Sequence, residues 1–221
     1  MDEKILSRYS SQVGADSYQG KFERHWRERI NDRNEQRLLQ KIFTRLSPEK
    51  IGTALDVPCG YGRLFPILHT VAPHVVESDY SELMLQNAHR YHEASGAVAA
   101  HYVQNNALQL QFNDRSFDMV LSVRLCHHIR DHEERLQYLL EITRVSRCWV
   151  IFTYADFASL KNRLREIKRR VSSKRPKWTL KAKEVKETAE AAGFEVVESI
   201  PLSRLFSLHR YTILRRKGAS S

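Results

Sequence analysis

One acidic and glycine-containing stretch holds the residue types best suited to binding a ligand. Asp56 ends a short apolar run, and a turn with Gly60 and Gly62 follows it at once. Glycines at these positions let the backbone close on a ligand, and the helix after the turn presents free N–H groups. Asp56 adds a negative charge that a cationic ligand could use. A strand, a glycine turn and a helix in this order form the first unit of a nucleotide-binding α/β domain.

Two adjacent histidines are the candidates for acid–base chemistry. His127 and His128 follow the fourth predicted strand, at the edge of the sheet where ligands bind in open α/β folds. An imidazole can take a proton from a hydroxyl or amine, since its ordinary pKa lies near neutrality. The sequence is consistent with general-base action by either histidine and with catalysis by proximity alone, the histidines then being packing residues. Arg124 in the same loop could bind an acidic substrate or be an ordinary surface arginine.

The elements that must position these residues alternate between strands and helices. Apolar runs predict parallel strands at about 53–57, 75–78, 99–103, 116–122 and 148–153. Helical periodicity predicts helices at about 63–71, 82–93 and 133–145, and another from an N-cap at Thr179 to residue 192. Residues 194–200 and 210–214 predict an antiparallel edge pair. This order predicts an α/β fold with a doubly wound sheet of about seven strands, mostly parallel, with helices on both faces.

The length and composition fit one α/β domain with small appendages. The chain has 221 residues, and 42% of them are hydrophobic. This length is enough for one well-packed domain and too short for two full ones. We expect residues 1–48 to form a polar helical arm that covers the site, with an apolar stripe between Leu38 and Leu46. Upstream aromatic residues would attach this arm to the domain or cover a ligand: Tyr9, Tyr18, Phe22 and Trp26. We expect residues 49–221 to form the main domain, with a basic helical insertion at about 157–178.

Composition also bears on the location of the protein. No run of about 18 apolar residues is present, so we expect no membrane-spanning helix. No apolar signal core follows Met1, and the three cysteines lie far apart in contexts that suit reduced thiols. We therefore expect a cytoplasmic protein that can lie peripherally at a membrane.

The net charge of +10 is concentrated in one segment. Residues 161–183 contain eleven Lys or Arg residues and a single acid, so the remainder is neutral, with 25 bases and 25 acids. Apolar residues in and before this segment repeat at helical spacing: Phe157, Leu160, Leu164, Ile167 and Val171. An amphipathic helix with Arg165, Lys168 and Arg169, followed by Trp178, suits an anionic membrane surface or a lipid-linked acceptor. It equally suits RNA, and a third interpretation is a solvated helix whose apolar stripe docks on the sheet.

In these motifs the chain resembles the class I S-adenosylmethionine-dependent methyltransferases, in particular the small-molecule group known as type 11 or type 25. The family's first motif, acid-x-Gly-x-Gly-x-Gly, corresponds to Asp56-Val57-Pro58-Cys59-Gly60-Tyr61-Gly62, with proline at the first glycine. Its second motif, acid-x-Ser-x-x-Met-Leu, corresponds to residues 79–85, and its Leu-x-His-His-Val segment to residues 125–129. The resemblance implies a Rossmann-like fold.

The resemblance implies S-adenosylmethionine as the cofactor, and methyl transfer from it requires no metal. It also implies that Asp79 binds the ribose hydroxyls and that Asn106 holds the adenine amino group. The cofactor-binding residues that it implies are Asp56, Pro58, Gly60, Gly62, Asp79, Tyr80, Met84, Asn106, Ala107 and Val123. The catalytic candidates are His127 and His128. The candidates for binding the acceptor or a surface are Arg124, Arg165, Lys168, Arg169 and Trp178.

We therefore expect an enzyme that transfers a methyl group to an oxygen or nitrogen of a small-molecule or lipid-linked, anionic acceptor. One alternative is a methyltransferase of tRNA or rRNA, which lacks support from an Asn-Pro-Pro-Tyr-like motif after strand 4. Another is a cofactor-binding scaffold that no longer catalyses. A nicotinamide dinucleotide site is disfavoured because Phe65 stands where a third glycine is required. A nucleoside triphosphate site of the Walker type is disfavoured because no Gly-Lys-Ser or Gly-Lys-Thr follows the turn.

Overall fold

The computed structural model of the protein describes residues 26–46, 51–96, 101–169, 178–203 and 207–219. The helices are α1 (Trp26–Leu46), α2 (Phe65–Leu68), α3 (Glu82–Ser95), α4 (His132–Arg144), α5 (Leu160–Arg169) and α6 (Ala182–Ala191). The strands are β1 (Thr53–Asp56), β2 (His74–Asp79), β3 (His101–Gln104), β4 (Phe117–Ser122), β5 (Ser146–Ala155), β6 (Phe194–Pro201) and β7 (His209–Arg216). A short 3₁₀ helix, Cys126–His128, follows β4. None of the helices in these ranges has both the length and the apolar character needed to cross a bilayer.

The described strands form a seven-stranded sheet in the order β3-β2-β1-β4-β5-β7-β6. Strand β1 pairs in parallel with both β2 and β4, whereas β7 runs antiparallel to both β5 and β6. The predicted doubly wound, mostly parallel sheet with an antiparallel C-terminal pair is confirmed. Because the strand order reverses between β1 and β4, the carboxyl ends of these two strands form the crevice where ligands bind in such sheets.

Two apolar cores lie on opposite faces of the sheet because successive side chains along a strand alternate in direction. Leu55 and Val120 belong to the core covered by α4 and α6, whereas Ala54 and Met119 belong to the core covered by α1 and α2. Helix α3 lies on the α2 side, where the ring centroid of His92 is 4.3 Å from that of Phe65. The prediction of helices on both faces is therefore confirmed.

Helix α1 packs on the sheet through the apolar stripe that the sequence predicted. Leu39, Ile42 and Phe43 are buried in the same core as Phe65 of α2. Trp26, at the start of α1, is 64% exposed. The other upstream aromatic residues lie outside the described residues. The division of the chain at residue 48 stays a prediction.

Helix α2 is shorter than the predicted helix over 63–71. After Leu68, i→i+3 bonds interrupt the α-helical pattern, since the Thr70 and Val71 N–H groups donate to the Ile67 and Leu68 carbonyls at 3.2 and 3.1 Å. The Thr70 hydroxyl also donates to the Ile67 carbonyl at 2.7 Å, and such bonds compete with regular helical bonding. The α-helical part therefore ends after a single turn.

Helix α6 begins after Lys181, so the prediction of Thr179 as its N-cap is wrong. The Leu180 N–H donates to the Ala155 carbonyl at 3.0 Å, and the Leu180 carbonyl accepts from the Phe157 N–H at 3.0 Å. Leu180 is thus held in an extended conformation beside the end of β5, and the helix can begin only beyond it. The Lys181 N–H then donates to the Glu184 carboxylate at 2.8 Å.

Helix α3 fixes the glycine turn through His92. The ring Nε2 of His92 lies 2.9 Å from the Gly62 carbonyl oxygen, and the ring Nδ1 lies 2.6 Å from the Tyr102 hydroxyl. Gly62 has a φ of +75°, and a Cβ built on it would lie 2.4 Å from His92 Nε2. Both the backbone conformation and the close approach of His92 require glycine at this position.

We predict that Gly62→Ala lowers the free energy of unfolding by about 2–4 kcal/mol, because strain in the left-handed backbone adds to the collision with His92. Gly96→Ala is the matched control, since φ is +68° there and nothing lies within 4 Å of an added Cβ. Gly96→Ala adds only the strain of the left-handed backbone, which should lower the free energy of unfolding by about 1 kcal/mol. Urea unfolding measures both variants, and equal losses would show that His92 does not constrain the turn.

Candidate active site

At the edge of the crevice, Asp56 presents a buried carboxylate that has no hydrogen-bond partner among the described residues. It ends β1 directly before the glycine turn. Burial raises the pKa of Asp56 to about 8, with the charge of Asp79 adding to the shift and that of Arg63 opposing it. A buried carboxylate of this kind stays charged only when a cation or a hydrogen-bond donor enters beside it.

Asp79 ties the end of β2 to the glycine turn. Its Oδ2 accepts from the Gly60 N–H at 3.0 Å, and its Oδ1 accepts from the Ser81 N–H at 2.9 Å. Burial raises the pKa of Asp79 to about 6, against the effect of these backbone hydrogen bonds. Backbone hydrogen bonds fix the orientation of the carboxylate, which retains acceptor capacity for a further donor.

Glu77 is a buried acid in this region that the sequence reasoning missed. It pairs in register with Asp56 on the neighbouring strand, so the two side chains lie on the same face of the sheet. Burial, and then the charge of Asp56, raises the pKa of Glu77 well above its usual range. A signal was available, because Glu77 is two residues before Asp79 in a strand whose alternate positions share a face.

Cys59 lies in the same buried environment. Burial, and then the charge of Glu77, raises the pKa of its thiol well above the usual range. A thiol that resists ionisation is a poor nucleophile. Cys59 is therefore a packing residue of the turn.

The other residues implied for the cofactor lie around the same edge. Met84, Ala107 and Val123 are buried, whereas Tyr80 is exposed and Pro58 is half-buried. Asn106 is exposed, and its Oδ1 accepts from the Leu108 N–H at 3.0 Å in a local turn.

The neighbouring Asn105 was not singled out from the sequence, although it is the buried member of the pair. Its backbone N–H donates to the Asp79 carbonyl at 3.0 Å, and its Oδ1 accepts from the Gln111 N–H at 2.9 Å. Asn105 therefore fixes the loop after β3 against the end of β2.

The histidine pair is joined by a third histidine. The ring of His127 lies 4.0 Å from that of His128 and 4.4 Å from that of His209, between centroids. His209 opens β7 and pairs with Ala155 at the end of β5. This contact could not be predicted from local patterns, because His127 and His209 lie 82 positions apart and are brought together by the pairing of β7 with β5. The three imidazoles form a cluster at the carboxyl edge of the sheet.

Arg124 and Arg63 share a buried carboxylate from α1. Arg63 Nη2 and the Tyr211 hydroxyl both donate to Glu35, and Arg124 Nη2 lies 3.1 Å from Glu35 Oε2. Although burial acts to raise the pKa of Glu35, the charges of Arg63 and Arg124 and the Tyr211 hydrogen bond lower it. The Arg124 guanidinium, suggested by the sequence for an acidic substrate, is thus engaged by a carboxylate of the chain itself.

The remaining candidates for binding the acceptor or a surface lie in the segment after β5. Arg165, Lys168 and Arg169 lie on α5 beyond the end of β5. Trp178 lies against Arg130, whose Cζ is 5.9 Å from the centre of the indole ring. Their role in binding an acceptor or a surface stays a prediction.

Comparison with known proteins identifies the central part of the chain. Residues 55–152 match the family described as a methyltransferase domain. This segment is similar to the class I S-adenosylmethionine-dependent methyltransferases of the type 11 group. A protein of Encephalitozoon cuniculi (strain GB-M1) that bears a methyltransferase name is 35% identical over 109 residues, which cover 49% of this chain and 44% of that protein. The chain therefore matches less than half the length of that relative.

Two solved structures show that the fold of this group extends over nearly the whole chain. Magnesium protoporphyrin IX methyltransferase from Synechocystis PCC 6803, with SAH bound, has a TM-score of 0.80 at 17% identity, covering 98% of this chain and 100% of that one. An S-adenosylmethionine-dependent methyltransferase from Clostridium acetobutylicum has a TM-score of 0.71 at 12% identity, covering 92% and 99%. At these identities the likeness concerns the fold.

The residues at the crevice fit S-adenosylmethionine, the cofactor of this group. The cofactor is cationic at its sulfonium and at its ammonium group, and Asp56 offers a buried carboxylate in need of such a charge. Asp79 offers oriented oxygens, and Gly60 and Gly62, at φ of +58° and +75°, leave the turn free of side chains. The donor set is that of a site for a positively charged nucleoside.

We predict that Asp56→Asn reduces the pH dependence of stability. Between the ordinary pKa of 3.8 and the folded value of about 8, the folded protein keeps a proton on Asp56 that the unfolded chain releases. The free energy of unfolding therefore falls as the pH rises through this window, by up to about 1.4 kcal/mol per pH unit. Urea unfolding across the window tests this, with the exposed Asp114→Asn as a control that keeps the wild-type slope. An unchanged slope in Asp56→Asn would contradict the assignment.

We also predict that Glu35→Gln lowers the free energy of unfolding by about 3 kcal/mol, because Arg63 and Arg124 lose the charge that offsets their burial. Glu198→Gln is the control, since its partner Arg45, at 2.8 Å, has a side chain that is 64% exposed. Exposed pairs of this kind contribute less than about 1 kcal/mol. Thermal and urea unfolding compare the two variants, and similar losses would mean that the Glu35 cluster is no stronger than a surface pair.

Proposed function

We propose that the protein transfers a methyl group from S-adenosylmethionine to an oxygen or nitrogen of a small-molecule or lipid-linked, anionic acceptor. The observation that carries this proposal is the position of the buried acidic residues relative to the histidine cluster. Asp56 ends β1 just before the glycine turn, and Asp79, at the end of β2, bonds the Gly60 N–H of that turn. The histidine cluster follows β4, which pairs with β1 on the side away from β2. Groups suited to the cofactor and groups suited to the acceptor thus share one crevice.

The cofactor-binding roles follow from the charges and contacts at the crevice. When bound, S-adenosylmethionine supplies a methyl group activated by its sulfonium. Asp56 would offset the positive charge of the methionine part, and Asp79 would accept from the ribose hydroxyls through oxygens already fixed by Gly60 and Ser81. Asn106 would accept from the adenine amino group. Met84, Ala107 and Val123 provide apolar surface at the same edge.

The acceptor roles fall to the histidine cluster. A hydroxyl or amine must lose a proton as its lone pair forms the new bond to carbon, and an imidazole of His127 or His128 can take that proton. His209, in ring contact with His127, would hold that ring in place. Methyl transfer is an in-line displacement, so these rings would also contribute by aligning the acceptor with the methyl group.

Two further observations support the remaining parts of the proposal. The structure matched over nearly the whole chain belongs to a methyltransferase named for magnesium protoporphyrin IX, which supports a small-molecule acceptor. Cys59 and Cys126 carry free, buried thiols, which supports placing the protein in the reducing cytoplasm.

We predict that Asp79→Ala weakens S-adenosylmethionine binding about 10- to 100-fold, the loss expected for hydrogen bonds to a charged group. Titration calorimetry of the purified protein measures this, with Asp114→Ala as a control on the surface.

His127→Ala should leave the affinity for S-adenosylmethionine within about threefold of the wild type but lower the rate of methyl transfer. The rate is followed with a labelled cofactor and cell extract separated into lipid, RNA and small-molecule fractions. Failure of the wild-type protein to bind the cofactor would overturn the proposal.

A further inference from the structure

Helix α5 turns its apolar stripe to solvent and its polar side to the protein body. Leu160, Leu164 and Ile167 are 45%, 50% and 61% exposed, and Phe157, just before the helix, is also exposed. The residue that α5 buries is Asn162, whose Nδ2 donates to the Phe157 carbonyl at 2.9 Å. The interpretation in which this stripe docks on the sheet is therefore wrong.

Exposure of this stripe is costly in water. Half-exposed aliphatic side chains of this size forgo about 1 kcal/mol each relative to full burial. Scattered exposed apolar residues are common, but a contiguous stripe on one helix marks a surface that a partner covers. Asn162 lies on the opposite side of α5 from the stripe, so the buried side of the helix is polar and the apolar stripe faces solvent.

Basic side chains border the stripe on both sides. Lys161 and Lys168 lie about a quarter-turn from it in one direction, and Arg163 lies on the other side. These three residues are exposed, and the sequence outside 161–183 carries no net charge. An apolar stripe bordered by lysine and arginine is the pattern of a helix that lies in the surface of an anionic bilayer.

We propose that α5 docks the protein on an anionic phospholipid surface, with the stripe formed by Leu160, Leu164 and Ile167 in the outer acyl region. Lysine and arginine beside it would contact the headgroup phosphates. Phosphates of RNA would equally attract the basic residues, but they offer nothing to an aliphatic stripe. Trp178, the aromatic residue near this segment, lies against Arg130 and is not displayed on the stripe.

Docking in this way would place the crevice edge at the membrane. Helix α5 starts just beyond Ala155, the residue of β5 that pairs with His209 of the histidine cluster. The carboxyl edge of the sheet would then face the lipid, which favours an acceptor held at or in the membrane. This consequence rests on the proposed function, whereas the docking itself does not.

The test is flotation of the full chain with two kinds of vesicle, phosphatidylcholine alone and phosphatidylcholine containing phosphatidylglycerol. Binding to the anionic vesicles alone is expected. A triple variant, Leu160→Ser, Leu164→Ser and Ile167→Ser, should bind the anionic vesicles about 100-fold more weakly, because three side chains no longer become buried in the bilayer. Lys161→Gln with Lys168→Gln should weaken it about 30-fold, with further weakening at high salt.

Matched controls use side chains of the same kinds elsewhere. Leu140→Ser with Val197→Ser removes exposed apolar residues away from α5, and Lys186→Gln with Lys217→Gln removes the same charge as the lysine variant. Both controls should partition as the wild type does. Binding of S-adenosylmethionine, measured by calorimetry on every variant, separates failure of docking from failure of the proposed function.

Three outcomes would overturn the proposal. One is absence of binding to anionic vesicles by the wild-type protein. Another is loss of binding in the control variants to the same extent as in the α5 variants. The third is tight binding to bulk tRNA that the lysine variant weakens and the serine variant leaves unchanged, which would assign the surface to RNA.

Discussion

The carboxylate of Glu35 connects four parts of the structure that the chain separates widely. It receives hydrogen bonds from Arg63 beside the glycine turn, from Arg124 after β4, and from Tyr211 in β7, while itself belonging to α1. Two of the partners lie in connections after β1 and β4, and the third lies within β7. The position of α1 over the sheet, and of both arginines at the crevice, therefore depends on one buried charge whose partners offset its desolvation.

Two kinds of buried acid stand close together at this crevice. Glu35 is surrounded by arginines, which hold its pKa below the usual range against the effect of burial. Asp56 has the charge of Arg63 to oppose its burial but no hydrogen bond among the described residues, and its pKa is raised. The difference arises from hydrogen-bonded partners rather than from depth, since both residues are almost fully buried. The negative charge of Glu35 is neutralised by arginines of the chain, whereas that of Asp56 is left for a ligand to neutralise. Glu35 is therefore the structural carboxylate and Asp56 the binding one.

The sheet and the order of the site residues could be predicted from the sequence because their signals are local. Apolar runs and the glycine turn locate β1, and the acid at the end of β2 is visible from its distance to that turn. Glu35 and His209 could not be found in this way, since each acts through contacts with residues far along the chain. The orientation of α5 was also beyond the sequence. Its periodicity gives an apolar stripe but not the side that faces the domain, which is the side that carries the buried Asn162. The start of α6 was missed because Leu180 pairs with β5, a tertiary contact that overrides the local capping preference.

The close approach of His92 to Gly62 bears on how this protein can change over evolutionary time. The imidazole occupies the volume that any side chain at position 62 would need, and it also bonds the carbonyl of that residue and the hydroxyl of Tyr102. A replacement of His92 by a smaller residue would free the space but leave a phenol and a carbonyl without their partner. Positions 62, 92 and 102 are therefore expected to drift together, and a homologue that lacks the histidine should differ at the tyrosine as well.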